Sequence, residues 1–261
     1  MLDPASIQRL ARCLDDARLE LRCVEPLTKS DGEFSLDSAY AILHAGIALR
    51  EGRGERVIGA KMGLTSKAKR EQMNLRSPIY GLLTDAMRVH DGGTFSLARS
   101  LHAKIEPEVA FVTARPLAGE VTRAEALAAC SGVCAAMEIL DSRFVGFKYF
   151  SLPDVIADDC SSSHFVISAE LQSPLLEVAD LEMRLSIDGV LAQQGRTSAI
   201  SGHPADSLVQ LCAMLHQHGR TLPAGSIVLA GAATVAETLR PGQEIALEIP
   251  GLGAVRVRTS P

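Results

Sequence analysis

The order of helical and strand-like patterns along the chain constrains its fold more than any other feature. Residues 4–22 carry apolar side chains at helical spacing, and a second helix is expected to begin after Ser35 and to end near Gly52. From about residue 78 the pattern is mostly that of strands. The strand-like runs are 104–113, 137–140, 164–168, 182–187, 226–230, 243–249 and 253–258. Helices followed by strands predict the α+β class rather than a regular βαβ array.

Two helical patterns interrupt the strand-rich part of the chain. The first covers residues 123–136, with Thr122 as its cap, and the second covers about 205–218. The run Ile187-Asp-Gly-Val190 predicts a tight hairpin turn.

The N-terminal part ends in a short third helix, which Thr65 and Ser66 are predicted to cap and which reaches Met73. We therefore expect an N-terminal helical part at 1–75 and a strand-rich part at 76–261. The change of character near residue 75 is weak, so the two parts are expected to form one integrated domain.

Composition and charge argue against several classes of partner. The 261 residues carry a net charge of −5 without a basic run, which argues against nucleic acid. The sequence has no uncharged apolar stretch of about 18 residues, so no transmembrane helix is expected. The N-terminus does not look like a signal peptide, and no membrane partner is expected. Cys130 and Cys134 lie one turn apart on the predicted helix, but no further pair or flanking His completes a zinc set. Reduced cysteines acting as small hydrophobes fit a cytoplasmic protein.

Two glutamates form the first candidate site. Glu106 and Glu108 lie in a predicted strand, so both carboxylates project from one face, while apolar residues fill the other. Adjacent like charges on a sheet repel each other by up to about 1 kcal/mol, and a hard cation such as Mg²⁺ or Mn²⁺ would offset this. A solvated strand face is the alternative. Pro107 between them cannot donate to a ladder and indicates an edge or a bulge.

Glu138 and Lys61 are charged residues within apolar runs. Glu138 needs a metal or a basic partner, because burying a lone carboxylate costs several kcal/mol; Arg143 is the nearest alternative partner in the sequence. Lys61 lies between Gly59 and Gly63, where it either faces a substrate or extends its charge out to solvent. The run Asp158-Asp-Cys-Ser-Ser-Ser163 either binds carboxylate or carbonyl oxygens or forms an ordinary turn.

Five motifs, taken together, carry a resemblance to a known family. In chain order they are Gly59-Ala-Lys-Met-Gly-Leu-Thr-Ser66, Pro78-Ile-Tyr-Gly81, His102-Ala-Lys-Ile-Glu-Pro-Glu-Val-Ala-Phe111, Glu138-Ile-Leu-Asp-Ser-Arg143 and Val155-Ile-Ala-Asp-Asp-Cys-Ser-Ser-Ser163. The chain resembles the hydratase/decarboxylase family of catechol meta-cleavage pathways, within the fumarylacetoacetase-like superfamily. The resemblance covers essentially the whole chain, including Ala230-Gly-Ala-Ala-Thr234.

This resemblance implies a fold, a metal and a set of site residues. The fold is a mixed, curved β-roll core with an N-terminal helical part. The metal is Mg²⁺ or Mn²⁺, and its ligands correspond to Glu106, Glu108 and Glu138. The active-site lysine corresponds to Lys61. The positions expected to contact the substrate are Ser161, Ser162, Ser163, Leu64 and Thr234.

The resemblance also implies an activity, with Ile79 as the residue that separates two branches of the family. The hydratases usually carry Asp at this position as an acid/base, and Ile cannot transfer a proton. We therefore expect metal-dependent decarboxylation of 2-oxo-3-hexenedioate to 2-hydroxypenta-2,4-dienoate, with Lys61 as the catalytic side chain. Cys160 and the run 196–200 depart from both branches and leave the distal contacts of the substrate open.

Three alternative functions remain open from the sequence. The first alternative is a 2-hydroxypenta-2,4-dienoate hydratase, and the second is a non-catalytic subunit that stabilises such a hydratase. A fumarylacetoacetase-type hydrolase ranks last, because only His164 and His203 loosely suit its water-activating role. The family further implies a homo-oligomer or a complex with the pathway hydratase.

Overall fold

The N-terminal residues form helices that pack on one another. A computed structural model describes residues 1–66, 70, 77–149 and 151–261, and most of the predicted helix from 65 to 73 lies outside them. The first helices are α1 (Pro4–Leu19), α2 (Leu27–Asp31) and α3 (Leu36–Glu51). Asp3 caps α1 and Ser35 caps α3, as their sequences predict. Leu10, Leu14 and Ile42 join α1 and α3 in one aliphatic cluster.

The rest of the described chain is dominated by two β-sheets. The strands, numbered along the chain, are β1 (Val57–Gly63), β2 (Ile79–Thr84), β3 (Thr94–Ser96), β4 (Lys104–Thr113), β5 (Cys130–Leu140), β6 (Ser162–Ile167), β7 (Glu182–Ile187), β8 (Val190–Arg196), β9 (Ile227–Leu229), β10 (Glu237–Thr238), β11 (Glu244–Ile249) and β12 (Gly253–Ser260). The first sheet has the order β2-β1-β9-β4-β5-β6, with β10 beside β4, and the second has the order β3-β12-β11-β7-β8. The predicted hairpin turn joins β7 and β8, with Asp188 and Gly189 at positive φ.

The first sheet curls into a half-barrel. Leu83 from β2 and Phe165 from β6, at the two ends of the strand order, pack in one cluster with Ala110 and Leu229 from the middle strands. This shared cluster marks the concave face. The convex face carries the large hydrophobic core and packs against the second sheet. Strand β1 comes from the N-terminal part and pairs in parallel with β9, so that part contributes directly to the half-barrel.

One predicted helix is wrong over most of its length. Thr122 caps a helix as expected, but this helix, α4 (Arg123–Ala128), ends early, and the residues from Cys130 onward form β5. Strand β5 is buried on both faces, so its sequence is almost continuously apolar and lacks the alternation that identifies a half-exposed strand. Cys130 and Cys134 therefore lie on a strand, and all six cysteines are free.

The remaining helices connect the strands. They are α5 (Leu152–Ala157) and α6 (Pro204–Gln217), and α6 agrees with the predicted helix at 205–218. No helix among the described residues is long and apolar enough to cross a membrane.

Candidate metal and active site

The register of β4 and β5 brings the three predicted glutamates together. Glu106 pairs directly with Glu138 across the two antiparallel strands, and Glu108 lies two residues further along the same face. One carboxylate oxygen of each residue lies within 4.8 Å of the others. Pro107 lies between the segments of β4 that pair with β9 and with β10, so its missing N–H disrupts neither pairing.

These carboxylates lie on the concave face and are largely withdrawn from solvent. Glu108 and Glu138 are each 0% exposed, and Glu106 is half-buried. The alternative of a solvated strand face is therefore wrong. Burial, and then the charges of Glu138 and Glu106, raise the pKa of the Glu108 carboxyl well above its ordinary value.

Glu108 has one bonded and one unbonded oxygen. Oε2 accepts a hydrogen bond of 2.7 Å from the backbone N–H of Gly231, whereas Oε1 is buried without a hydrogen-bond partner among the described residues. Gly231 has φ of +112°, and a Cβ there would lie 2.4 Å from Oγ1 of Thr65, so only glycine fits. Sequence reasoning noted this glycine but did not recognise its backbone as part of the site.

A hard divalent cation fits this set of donors. When ionised, the two fully buried carboxylates, Glu108 and Glu138, face one buried cation, Lys61, among the described residues. The orphaned Oε1 of Glu108 has the chemistry that Mg²⁺ and Mn²⁺ prefer, because both ions bind carboxylate oxygens. The residues present therefore fit the metal that the family resemblance implies.

Lys61 is the buried cation of the site. It lies on β1 and is 3% exposed, and its Nζ donates to Oε2 of Glu138 at 3.1 Å. The alternative in which Lys61 extends out to solvent is therefore wrong. Burial alone would lower the pKa of Lys61, but the neighbouring carboxylates, Glu138 foremost, raise it, so the side chain is a stable ammonium.

Arg143, the alternative partner of Glu138, pairs elsewhere. Its Nε donates to Oδ1 of Asp158, and its backbone N–H donates to Oδ2 of the same residue at 3.1 Å. Although burial alone would lower the pKa of Arg143, Asp158 raises it. Arg143 and Asp158 therefore form a separate buried ion pair.

The three serines have different surroundings. The hydroxyl of Ser162 donates to Oε1 of Glu138 at 2.9 Å, so Ser162 joins the carboxylates. The hydroxyl of Ser163 instead bonds Nδ1 of His164 at 2.9 Å. Ser161 is buried in the preceding turn, where its carbonyl accepts from the N–H of Asp141.

Leu64 and Thr234 lie on segments that border the site. Leu64 follows β1 with φ of +55°, and its carbonyl accepts from Arg70 at 2.8 Å. Thr234 packs closely on Gly195 of β8. Of the segment 230–234, it is the backbone of Gly231 that contacts a carboxylate of the cluster.

Ile79 shares the face of Lys61. It pairs with Gly63 on β1, two residues from Lys61, and is 3% exposed. A Cβ at Gly63 would lie 3.0 Å from the side chain of Ile79, so the two strands approach closely here. The wall of the site near Lys61 is therefore apolar at position 79.

Among the described residues, no hydrogen bond joins either histidine considered for a hydrolase to the three carboxylates. Nδ1 of His203 accepts from the N–H of Ala205 and caps α6. His164 bonds Ser163 and contacts the ring of Phe95.

Comparison with known proteins identifies the family. Residues 51–259 match the model of the fumarylacetoacetate (FAA) hydrolase C-terminal family, and the chain belongs to this family. A 4-oxalocrotonate decarboxylase from a Pseudomonas species is 43% identical over 97% of this chain and 98% of its own length. A 2-hydroxyhexa-2,4-dienoate hydratase from Comamonas testosteroni is 34% identical over 99% of both chains.

A solved structure is similar throughout. The 4-oxalocrotonate decarboxylase from Pseudomonas putida G7, complexed with magnesium and adipate, has a TM-score of 0.95 at 32% identity and covers 99% of both chains. The expected α+β fold, a curved β-roll with N-terminal helices, is thereby confirmed, as is the resemblance to the hydratase/decarboxylase group.

Proposed function

We propose that this protein is a metal-dependent carboxy-lyase that converts 2-oxo-3-hexenedioate (4-oxalocrotonate) to 2-hydroxypenta-2,4-dienoate and CO₂. The observation that carries the proposal is the buried cluster of three glutamates beside Lys61, in a chain 43% identical to a 4-oxalocrotonate decarboxylase. The resemblance to the hydratase/decarboxylase family implies a place in catechol meta-cleavage.

Glu106, Glu108 and Glu138 are the proposed ligands of Mg²⁺ or Mn²⁺. When bound, such an ion supplies Lewis-acid stabilisation of the negative charge that develops on the 2-oxo group. The relative from Pseudomonas putida G7, described with magnesium, supports this choice of ion. The backbone N–H of Gly231 holds Glu108 in place, and Ser162 and Lys61 hold the two oxygens of Glu138.

The reaction needs no proton to be removed from carbon at its start. The bond between C5 and C6 breaks, CO₂ leaves, and its electron pair forms the C4–C5 double bond. The original C3–C4 double bond shifts to C2–C3, and the 2-oxo oxygen gains the charge and then a proton. Lys61, a buried ammonium, is proposed to orient the substrate and to stabilise the dienolate.

Ile79 supports decarboxylation over hydration. Adding water across a double bond requires proton transfer, and an apolar side chain on the face of Lys61 cannot perform it. The hydratase remains the second candidate, because the relative from Comamonas testosteroni, a hydratase of the related 2-hydroxyhexa-2,4-dienoate, is 34% identical. Incubation with the oxo-diacid and Mg²⁺ should release CO₂. Steady hydration of the dienol without CO₂ release would refute the decarboxylase in favour of the hydratase.

Glu106→Gln tests the proposed ligand set. The variant should lose metal-dependent turnover while its circular dichroism and melting temperature stay those of a folded protein. Normal turnover would remove Glu106 from the site.

The assembly state and location are also proposals. We infer from the family a homo-oligomer that takes a 2-oxo acid and that associates with the pathway hydratase in the cytoplasm. Light scattering after size exclusion gives the oligomer, and co-purification tests the complex. Co-purification of a protein without turnover or bound metal would support the non-catalytic role instead.

Leu64, Thr234 and the serines Ser161 and Ser163 remain proposed substrate contacts. They come from the matched motifs, and Leu64 and Thr234 lie on segments next to the cluster. Substitutions that raise KM without changing metal affinity would support them.

A further inference from the structure

Glu138 is held from two sides. Its Oε2 accepts from Nζ of Lys61 at 3.1 Å, and its Oε1 accepts from the hydroxyl of Ser162 at 2.9 Å. Each carboxylate oxygen has two lone pairs, so both oxygens can still bind a cation. The side chain is therefore restrained in orientation without losing its capacity to act as a ligand.

The chain immediately before Ser162 is strained. Asp159, Cys160 and Ser161 have φ of 48°, 52° and 60°, in the left-handed region that non-glycine residues rarely adopt. Conformations of this kind are costly and persist only where the surroundings enforce them. Three such residues in succession indicate that the surrounding contacts hold this turn in place.

Contacts with β2 enforce this turn. Oδ1 of Asp159 accepts from the N–H of Leu82 at 2.8 Å, and Sγ of Cys160 bonds the carbonyl of Tyr80 at 3.1 Å. A Cβ at Gly81 would lie 2.8 Å from the carbonyl oxygen of Asp159, so this glycine permits the close approach. The turn is thus fastened to the strand that pairs with β1 beside Lys61.

The other end of the turn is anchored by the Arg143–Asp158 pair. Arg143 donates to Asp158, to the carbonyl of Asp141 at 2.7 Å and to the carbonyl of Ser162 at 3.3 Å. The backbone of Ser162 is therefore bonded by one buried group, while its hydroxyl reaches the carboxylate of Glu138. Little freedom is left for this hydroxyl.

We propose that Ser162 is a positioning residue, which orients Glu138 for a divalent cation and does not itself bind the substrate. This inference rests on the proposed metal site. It differs from the role expected for the serine run, in which the hydroxyls contact the substrate. Hydrogen bonds to metal-binding carboxylates typically contribute 10–100-fold to metal affinity or activity.

The experiment measures Mn²⁺ and Mg²⁺ binding to the substrate-free protein by titration calorimetry. Ser162→Ala should weaken the affinity by about 10–100-fold. Ser163→Ala is the matched control, because the neighbouring hydroxyl bonds His164, and its metal affinity should stay within about twofold of the wild type. Equal affinity in the wild type and in Ser162→Ala would overturn the inference.

A second pair of variants covers the case in which Ser162→Ala does not fold. Ser162→Thr and Ser162→Val have nearly the same shape and differ in the hydroxyl, so the Val variant should bind Mn²⁺ about 10–100-fold more weakly than the Thr variant. Equal affinity of these two variants would also overturn the inference. So would a Ser162→Ala variant whose KM for the substrate rises while its metal affinity is unchanged.

A double-mutant cycle isolates the contact itself. In a Glu138→Gln background, Ser162→Ala should change the metal affinity little further, because the carboxylate it orients is gone. Additive losses would place the effect of Ser162 elsewhere. Failure of the wild type to bind either metal would instead refute the proposed metal site, so the two failures are distinguishable.

Discussion

Two groups of buried charges lie close together in this protein and differ in how completely they are satisfied. The carboxylate cluster consists of Glu106, Glu108, Glu138 and Lys61. The other group is the Arg143–Asp158 pair. The two groups are linked by one residue, since Ser162 bonds Glu138 through its hydroxyl and Arg143 through its carbonyl.

The Arg143–Asp158 pair is balanced. One positive charge faces one negative charge, and the carboxylate also accepts from the backbone N–H of Arg143 and from the hydroxyl of Ser142. In the carboxylate cluster, the fully buried Glu108 and Glu138 share one buried cation, Lys61, and Oε1 of Glu108 is unbonded among the described residues. Burial is common to both groups, so burial alone does not identify a site. The imbalance does, because it is costly unless a ligand removes it.

The largest expected effect follows from removing one charge of the cluster. Glu108→Gln should lower kcat/KM for CO₂ release at saturating Mg²⁺ by about 1000-fold or more, since a Lewis acid contributes several kcal/mol to such a step. The exposed strand residue Glu244 is the control, and Glu244→Gln should leave kcat/KM nearly unchanged. A small change in kcat/KM for Glu108→Gln would mean that the unsatisfied carboxylate of Glu108 does not contribute to catalysis.

The balanced pair should respond in stability instead. Asp158→Asn leaves Arg143 as a buried charge without its counterion, so the free energy of unfolding should fall by about 3–5 kcal/mol. Urea unfolding of the metal-free protein measures this. If Asp158→Asn costs no more than Glu108→Gln, the distinction between the two groups is wrong.

Much of the cluster could be predicted from sequence because it depends on local periodicity. Glu106 and Glu108 share a face in any strand, and a carboxylate within the apolar run around Glu138 requires a partner. The identity of that partner could not be predicted. Lys61 and Glu138 are 77 residues apart, and only the order of the strands brings them together, so Arg143 was an equally reasonable choice.

The missed elements have a common physical cause. The residues of β5 after Cys130 are covered on both faces, which removes the alternation that separates a strand from a helix. Strand β2 is likewise buried throughout and was not predicted. The role of Gly231 was hidden for another reason, because a backbone N–H leaves no trace in side-chain pattern. The division near residue 75 stays a prediction.

Acid should act on two buried groups in opposite directions. Lowering the pH should cost stability at the neutral His164. At Asp158, whose pKa burial raises to about 6, the folded chain takes up a proton more readily than the unfolded chain. Burial, and then Arg99, lower the pKa of His164 from its ordinary value to about 4. The unfolded chain therefore takes up a proton near pH 6.5 while the folded protein does not. The contribution of His164 to the free energy of unfolding should therefore fall as pH drops from 6.5 to 4, by at most about 3 kcal/mol.

His164→Asn isolates this contribution. The stability of the wild type relative to this variant should fall by up to about 3 kcal/mol as pH drops from 6.5 to 4. The comparison also removes the effect of His44, whose pKa burial lowers to about 3, because this histidine is present in both proteins. Identical pH profiles of the two proteins would show that His164 makes no such contribution.

The smallest expected effect is on the stability difference between the wild type and Glu108→Gln. It tests the unsatisfied charge most directly, because this difference can change sign when metal is removed. Mg²⁺ at 100 times its dissociation constant should raise the free energy of unfolding of the wild type by about 2.7 kcal/mol. Glu108→Gln should show little of this gain. Without metal, however, the variant should be at least as stable as the wild type, because it lacks the Glu108 carboxyl, whose pKa is raised by burial and by the charges of Glu138 and Glu106. Melting curves should then show the wild type as the more stable protein in Mg²⁺ but not in EDTA. A variant that is less stable than the wild type in EDTA would show that the buried carboxylates stabilise the fold by themselves, as the balanced pair does.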